Sequence, residues 1–195
     1  MASLPQFSRS ATVMAAAAVL ATTLGAGVAT AQTSGTNGTI RIIATNPQTI
    51  KESSGIAFVC PANNVMIGRA HSGDENGNTT YYCARILIDG FLVTVNAGPW
   101  TDAQKESSSS FTAPEDEVII GRLHGGDENG NTQYRTAYLT VNGRELTLLN
   151  RHTVGPYRES SSSSTAGAGE LMVGRSHSGD ENGSTYYQYA TLTDS

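Results

Sequence analysis

The chain has 195 residues, of which 12 are basic and 17 are acidic, so that its formal net charge is −5. This acidic balance argues against nucleic acid and anionic membranes as partners, because both attract basic surfaces. The length suits one domain with a substantial hydrophobic core, and a second domain is not expected.

The first 31 residues predict an export signal. Arg9 provides a positive start, residues 11–31 form a run rich in Ala, Val, Leu and Thr, and residues 29–31 (Ala-Thr-Ala) form a small-residue cleavage site. A membrane anchor is the alternative, but the Thr and Gly residues within the run make it weakly apolar. We therefore expect a secreted, extracellular product without membrane insertion, in which residues 32–195 form a single β domain.

A ten-residue motif occurs three times downstream of the signal. It reads Gly-Arg-x-His-x-Gly-Asp-Glu-Asn-Gly at residues 68–77, 121–130 and 174–183, and both offsets are 53 residues. A Glu-Ser-Ser block precedes each copy. Units of about 38–90, 91–143 and 144–195 therefore cover almost the whole mature chain, which is typical of a repeat architecture.

Each unit predicts about four short strands, separated by clusters of Gly, Pro, Asn and Ser. In the first unit these strands are expected at residues 39–45, 55–60, 65–72 and 79–88. We expect an all-β fold of three pseudo-threefold repeats, with a β-prism favoured and a β-trefoil as the alternative. In unit length the layout resembles that of the vitelline membrane outer layer proteins, which are three-sheet β-prisms. The likeness is one of architecture, without a shared motif.

The only two cysteines, Cys60 and Cys83, both lie in the first unit. In an exported chain a disulfide persists, and closing this loop is worth ~3 kcal/mol. The equivalent positions of the other two units both lack cysteine. We therefore predict that Cys60 and Cys83 are bonded to each other and join adjacent strands of the first unit.

Polar positions of the motif recur unchanged, whereas apolar and interleaved positions vary, as Ala70, Leu123 and Ser176 show. Such selective retention indicates that something acts on these polar side chains specifically. The ligand-binding candidates are Arg69, His71, Asp74, Glu75, Asn76, Tyr81, Arg122, His124, Asp127, Glu128, Asn129, Tyr134, Arg175, His177, Asp180, Glu181, Asn182 and Tyr187.

One hypothesis gives the motif a structural role. Residues 76–77 (Asn-Gly) predict a tight hairpin, because both residues tolerate positive φ. With a loop at residues 74–78, His71 would face Tyr81, and Arg69 would pair with Asp74 or Glu75. Glu52 of the Glu-Ser-Ser block would then satisfy His71, so that the motif would be a polar clamp at each corner of the body.

The other hypothesis places a ligand on the same face. The donors, acceptors and aromatic ring around each hairpin suit the recognition of sugar hydroxyls, and three such sites gain avidity for a repetitive glycan. The leading prediction is a secreted, non-enzymatic, lectin-like module that recognises carbohydrate or another repetitive surface. The alternative is an adaptor or scaffold subunit of a secreted multiprotein assembly, such as an exported toxin particle, that docks another secreted protein through its three faces or residues 32–38.

Metal and catalytic sites are less well supported. Asp74, Asn76 and Asn78 alternate as calcium ligands do, but Thr79 stands where a calcium loop has its sixth-position Gly. Zinc would require the three motif histidines to meet at the pseudo-axis, beside three arginines. No hydrolase elbow, zinc-protease pair or phosphate loop occurs. We therefore predict no enzyme, no cofactor and no metal, with calcium as the lesser option.

Overall fold

The computed structural model describes residues 31–33, 38–74 and 76–194, with the side chains of 31–33 left out. Within these ranges the protein is all-β, with 65% strand. The predicted signal, apart from Ala31, and the predicted ligand residue Glu75 lie outside the described residues. None of the described residues forms a helix with the length and apolarity needed to cross a bilayer.

Seventeen strands and two single 3₁₀ turns make up the described fold. The turns are Glu106–Ser108 and Glu159–Ser161. The strands, in chain order, are β1 (Ala31–Thr33), β2 (Ile40–Ala44), β3 (Gln48–Lys51), β4 (Phe58–Val59), β5 (Asn64–Ser72), β6 (Asn78–Ile88), β7 (Phe91–Leu92), β8 (Thr94–Trp100), β9 (Gln104–Lys105), β10 (Ser110–Thr112), β11 (Glu117–Gly125), β12 (Asn131–Val141), β13 (Arg144–Glu145), β14 (Thr147–Arg158), β15 (Ser163–Thr165), β16 (Glu170–Ser178) and β17 (Ser184–Thr193).

The strands form three antiparallel sheets. Sheet 1 has the order β1-β2-β6-β5-β15, sheet 2 has β13-β12-β11-β4, and sheet 3 has β10-β16-β17-β14. Shorter strands pair alongside, with β3 and β7 on β6, and β8 and β9 on β12. A long hairpin lies within each sheet: β5–β6 (hairpin 1), β11–β12 (hairpin 2) and β16–β17 (hairpin 3).

The expected strands of the first unit are found, with shifted ends. The predicted strand at 79–88 is β6, whose alternating buried residues explain why its period-2 pattern was visible. Strand β3 was not predicted, since none of its four residues is fully buried and its sequence carries no alternation. The β-prism and the three-repeat organisation stay predictions.

Each sheet has one short edge strand that comes from the chain segment before the hairpin of another sheet; these exchanged strands are β4, β10 and β15. Strand β4, which follows Glu52, pairs with β11 of sheet 2. In the same way β10 pairs with β16 of sheet 3, and β15 pairs with β5 of sheet 1, which closes the cycle. The inner strands β5, β11 and β16 also contact one another. Because each of these strand edges is covered by the exchanged strand, none of the three is left open at this point.

The core fills the space between these inner strands. The apolar pairs that precede each motif are fully buried, at 0–1% exposure; they are Val65, Met66, Val118, Ile119, Leu171 and Met172. Each inner strand then carries a bulge just before its Arg, between Met66 and Gly68 in hairpin 1. The bulge keeps residues on both sides of it buried, because it shifts the alternation by one residue.

The register of hairpin 1 corrects the sequence-based one. Ser72 pairs with Asn78, His71 faces Thr79 instead of Tyr81, and Arg69 faces Tyr81. The loop therefore spans residues 73–77, one position earlier than the expected 74–78.

The predicted Cys60–Cys83 disulfide is confirmed, with Cα atoms 5.9 Å apart. We had expected the disulfide to join adjacent strands of the first unit, but it joins two different sheets. Cys60 follows β4, and its N–H donates to Ile120 O of sheet 2, whereas Cys83 lies in β6 of sheet 1. The bond therefore ties sheet 1 to the strand exchanged into sheet 2. A disulfide is consistent with an extracellular protein.

Candidate functional site: a buried ring of charges beneath three loops

The three motif arginines point into the interior. Arg69, Arg122 and Arg175 lie on β5, β11 and β16, and their exposed fractions are only 0–2%. Buried arginines require partners, because an unpaired charge in an apolar interior is costly. Those partners are the three glutamates of the Glu-Ser-Ser blocks, which are also buried; they are Glu52, Glu106 and Glu159.

The six residues form a closed ring in which arginine and glutamate alternate. Each glutamate contacts the arginine of the hairpin that follows it in the sequence and the arginine of one other hairpin. The order around the ring is Arg69, Glu52, Arg122, Glu106, Arg175, Glu159 and back to Arg69. The N···O distances are 3.0 Å for Arg69–Glu52, 2.8 Å for Arg69–Glu159, 3.0 Å for Arg122–Glu106, 2.7 Å for Arg175–Glu106 and 3.1 Å for Arg175–Glu159, and Arg122 also contacts Glu52.

The ring stays fully ionised because its charges compensate each other. Burial alone would raise the carboxyl pKa values, but the neighbouring guanidinium groups outweigh burial and lower the pKa of Glu106 to about 2. The pKa values of Glu52 and Glu159 are held well below their usual range for the same reason. Burial would likewise lower the arginine pKa values, but the carboxylates keep all three raised. The ring thus has three positive and three negative charges.

The motif tyrosines link the hairpins at the same level. Arg69 Nη1 donates to Tyr187 Oη at 3.1 Å, Arg122 Nη1 to Tyr81 Oη at 3.2 Å, and Arg175 Nη1 to Tyr134 Oη at 3.3 Å. In each case the tyrosine belongs to a different hairpin from its arginine. The tyrosines are 0–2% exposed, and their rings pack in the hydrophobic core.

The motif histidines lie between the ring and the loops. His71 Nε2 donates to Asp74 O at 3.1 Å, so Nδ1 of the neutral ring is an acceptor. Thr79 Oγ1 lies 2.9 Å from this Nδ1 and also contacts Glu52, and its one hydroxyl proton is donated to only one of them at a time. His177 repeats this arrangement with Gly179 O and Thr185. Burial and the adjacent arginine lower the pKa values of His71, His124 and His177, so all three are neutral at pH 7.

The loop geometry explains why an aspartate recurs in each loop. Asp74 Oδ1 accepts a 2.8 Å hydrogen bond from Asn76 N, and the same bond recurs from Asn129 N to Asp127 and from Asn182 N to Asp180. Such a bond is an Asx turn, which fixes the loop without a ligand.

The glycines of the loop act differently from the sequence-based expectation. Positive φ occurs at Gly73, Gly126 and Gly179, and not at the Asn-Gly pair. Gly77 is required for another reason, since a Cβ there would lie 2.1 Å from Ser72 O. The Asn-Gly signal therefore marks a close backbone approach.

The three loops converge on one small cavity of about 30 Å³. All three hairpins contribute to its lining, through the ring glutamates, the motif histidines, the three loop aspartates, Glu128 and Glu181. A cavity of this size holds about one water molecule. The ring carboxylates approach within 4.8 Å of one another, but each already contacts two guanidinium groups, which supply the positive charge.

The structure thus divides the predicted site residues into two groups. The arginines, histidines and tyrosines are buried, whereas the loop aspartates and asparagines are exposed and Glu128 and Glu181 are half-buried. Arg69 pairs with Glu52 and Glu159 and not with Asp74, one of the two partners that the clamp hypothesis suggested; the other, Glu75, lies outside the described residues. Glu52 reaches His71 only through Thr79, since its Oε2 lies 3.9 Å from His71 Nδ1. Ligand contact by the candidate residues stays a prediction.

Two larger grooves lie outside the ring, where an exchanged strand meets the next sheet. Groove A, between β15 and hairpin 1, has a volume of about 340 Å³ and includes Ser72, Asn78, Thr80, Ser161 and Ser163. Groove B, between β10 and hairpin 3, has a volume of about 290 Å³ and includes Ser108, Ser110, Ser178, Ser184 and Tyr186. The two grooves occupy equivalent positions along the chain.

Comparison of the chain with protein-family models, with curated proteins and with solved structures found no match.

Proposed function

We propose that this protein is an exported, non-enzymatic, lectin-like module whose three hairpins close into a pseudo-threefold β-prism. Its ligand would be carbohydrate, bound by the polar surface around the loops. The observation that carries this proposal is the closed ring. Each motif arginine contacts two glutamates, so the positive charge of the motif is compensated in the interior, and the exposed part consists of carboxylate, amide and hydroxyl groups.

These exposed groups have the chemistry that sugar recognition needs. Carboxylates accept hydrogen bonds from hydroxyls, and amides both accept and donate them, in fixed directions. The cavity between the loops is too small for a sugar ring, so contact would be made on the outer surface of the loops and their flanks. Several weak contacts on one rigid body favour a repetitive glycan through avidity.

A glycan array tests this proposal. Wild type should retain at least one glycan class. A Glu128→Ala, Glu181→Ala variant, which removes loop carboxylates that form no Asx turn, locates the contact: loss of signal places it at the loops, and full signal places it on the flanks of the hairpins. The matched control is Glu115→Ala, Glu145→Ala, which removes the same charge from exposed positions away from the loops. Retention of no glycan by folded wild type would refute the proposal.

A second candidate is an adaptor subunit, and one observation favours it. Phe91 and Leu92 in β7 are 56% and 48% exposed. The equivalent strand β13 pairs in the same way but carries Arg144 and Glu145, so the fold does not require apolar residues here. Exposed apolar pairs of this kind suit a protein partner.

The adaptor candidate is tested by affinity purification from culture supernatant of the producing cells. A Phe91→Arg, Leu92→Glu variant copies the β13 sequence and should fold normally. Loss of a copurifying protein in this variant, with unchanged glycan retention, would favour the adaptor. Unchanged copurification would exclude this surface.

A further inference from the structure

The two grooves have the same construction. Ala70, Ser72, Asn78 and Thr80 of groove A correspond to Ser176, Ser178, Ser184 and Tyr186 of groove B, each 106 positions later. The exchanged strand supplies the opposite wall in both, with Ser161 and Ser163 in one and Ser108 and Ser110 in the other. Two hairpins thus create the same recess with partly different side chains.

The chemistry of the recess suits a neutral polar ligand. Its side chains are hydroxyls and an amide, and no Lys, Arg, Asp or Glu lines either groove. The one histidine at the base of each, His71 or His177, has a lowered pKa and is uncharged at pH 7. Anionic ligands would need a cation that these recesses do not supply.

The size points to a single ring. The volumes of about 340 and 290 Å³ lie at the lower end of the range of about 300–1,000 Å³ that small-molecule sites occupy. In groove B, Tyr186 adds an aromatic surface of the kind that packs against the apolar face of a sugar. Groove A has Thr80 in that place.

The third seam, where β4 meets hairpin 2, is built differently. Gly125 replaces Ser72 and Ser178, and the backbone of residues 54–55 occupies the space beside it. Ser54 forms a β-bridge with Gly125, and a Cβ on Gly125 would lie 3.1 Å from Gly55 Cα. Leu123 stands in place of Ala70 and Ser176. This seam therefore lacks the hydroxyls that Ser72 and Ser178 supply to the other two, and the backbone of residues 54–55 reduces its room.

We infer that grooves A and B are two subsites, each for one neutral sugar ring, and that the third seam is not a subsite. This inference rests on the proposed carbohydrate-binding function and makes it bivalent instead of trivalent. Groove B binds more tightly than groove A, because only groove B has the aromatic surface.

The test is a titration of ¹⁵N-labelled full-length mature protein with D-glucose, D-mannose, D-galactose and N-acetyl-D-glucosamine, followed by amide chemical shifts. At least one sugar should shift the amides of Ser72 and Asn78, and those of Ser178 and Ser184, saturably, with Kd on the order of 1 mM.

Three matched variants place phenylalanine at equivalent half-exposed strand positions. Ala70→Phe should weaken binding in groove A by about tenfold or more, and Ser176→Phe should do so in groove B. Leu123→Phe should leave both grooves unchanged. Phenylalanine is well tolerated in strands, and the amide spectra of the variants report directly on folding.

The possible results separate this inference from the function on which it rests. Shifts confined to the loop tips or the third seam, or full binding by both Phe variants, would overturn the two subsites while carbohydrate binding stands. Absence of shifts with all four sugars, together with a positive glycan array, would also overturn only the subsites. Absence of shifts together with a blank array would overturn both.

Discussion

Glu106 Oε1 accepts a 2.7 Å hydrogen bond from Arg175 Nη1, although the two residues are 69 positions apart. The same carboxylate contacts Arg122 through Oε2, so one glutamate fastens hairpin 2 to hairpin 3. The motif arginines therefore hold the body together, a structural role that the clamp hypothesis gave them with other partners. The recurrence of the arginine has a structural explanation, because each copy of the motif supplies one arginine that pairs with two glutamates.

Removal of one ring arginine should destabilise the protein strongly. Arg122→Met leaves Glu52 and Glu106 buried without one of their two partners, and breaking such a pair costs about 3–5 kcal/mol. Urea unfolding of wild type and variant measures the difference. The control Arg85→Met, at an exposed strand position, should change the free energy of unfolding by less than about 0.5 kcal/mol. Similar small losses in both variants would contradict the ring as the main support.

The coupling between Arg69 and Glu159 should be measurable in a double-mutant cycle. Arg69 lies in β5 of sheet 1 and Glu159 in the 3₁₀ turn that follows β14 of sheet 3, and the two side chains are 2.8 Å apart. Unfolding of Arg69→Met, Glu159→Gln and the double variant should give a coupling energy of about 0.5–3 kcal/mol. Pairing Arg69→Met with the exposed Glu145→Gln provides the control, which should be additive within about 0.5 kcal/mol. If the effects of Arg69→Met and Glu159→Gln on the free energy of unfolding are additive, the contact between the two side chains has no coupling energy.

Stability should fall as the pH is lowered from 7. The pKa values of the three histidines in the folded protein lie below the ordinary 6.5, and the pKa of Glu106 is lowered from 4.5 to about 2. In the pH range below each ordinary pKa, the unfolded chain therefore binds more protons than the folded one. The histidine contribution is complete above pH 6.5 and is lost as pH falls through the lowered histidine pKa values. The Glu106 contribution is complete above pH 4.5 and is lost toward pH 2.

Urea unfolding at a series of pH values checks this dependence. A His71→Gln, His124→Gln, His177→Gln variant should lose the slope just below pH 6.5 and keep the one below pH 4.5, because the ring is unchanged. Equal slopes in wild type and variant between pH 7 and pH 5 would show that the histidines do not contribute.

Alanine should be poorly tolerated at the last glycine of the motif. In Gly183→Ala the new Cβ would lie 2.1 Å from Ser178 O, so the loop backbone must move. We expect a loss of more than about 2 kcal/mol in thermal unfolding, at the upper end of ordinary single substitutions. Gly98→Ala is the control, since its nearest atom would be 3.4 Å away and its φ is not positive. Equal effects would indicate that the loop adapts freely.

Local pattern was sufficient for the main strands of the first unit, except β3, and for the disulfide. The alternation of apolar and polar residues that predicts β6 is a property of neighbours along the chain. The disulfide could be predicted because Cys60 and Cys83 occur together in the first unit and are both absent from the other two. The hairpin loop was placed one position too late, so each strand partner was wrong by two residues, because an Asn-Gly pair is compatible with more than one loop. The close approach of Gly77 to Ser72 accompanies the loop that forms.

The buried ring was beyond reach of the same reasoning. Arg, His and Tyr at fixed spacing have the same chemistry whether they face solvent or an interior, and polar residues are usually exposed. The exchange of β4, β10 and β15 decides the matter, since it brings Glu52, Glu106 and Glu159 across to other hairpins. The signal that was present is the recurrence of one Glu before each motif.

The cyclic exchange of β4, β10 and β15 also determines what a fragment of this chain would do. A peptide corresponding to one third of the molecule would have an arginine lacking one carboxylate, a glutamate lacking one guanidinium and an inner strand lacking its neighbour. All three deficits are supplied by an identical peptide placed next to it, and the circle is complete after three. The isolated third should therefore become ordered only when three copies associate.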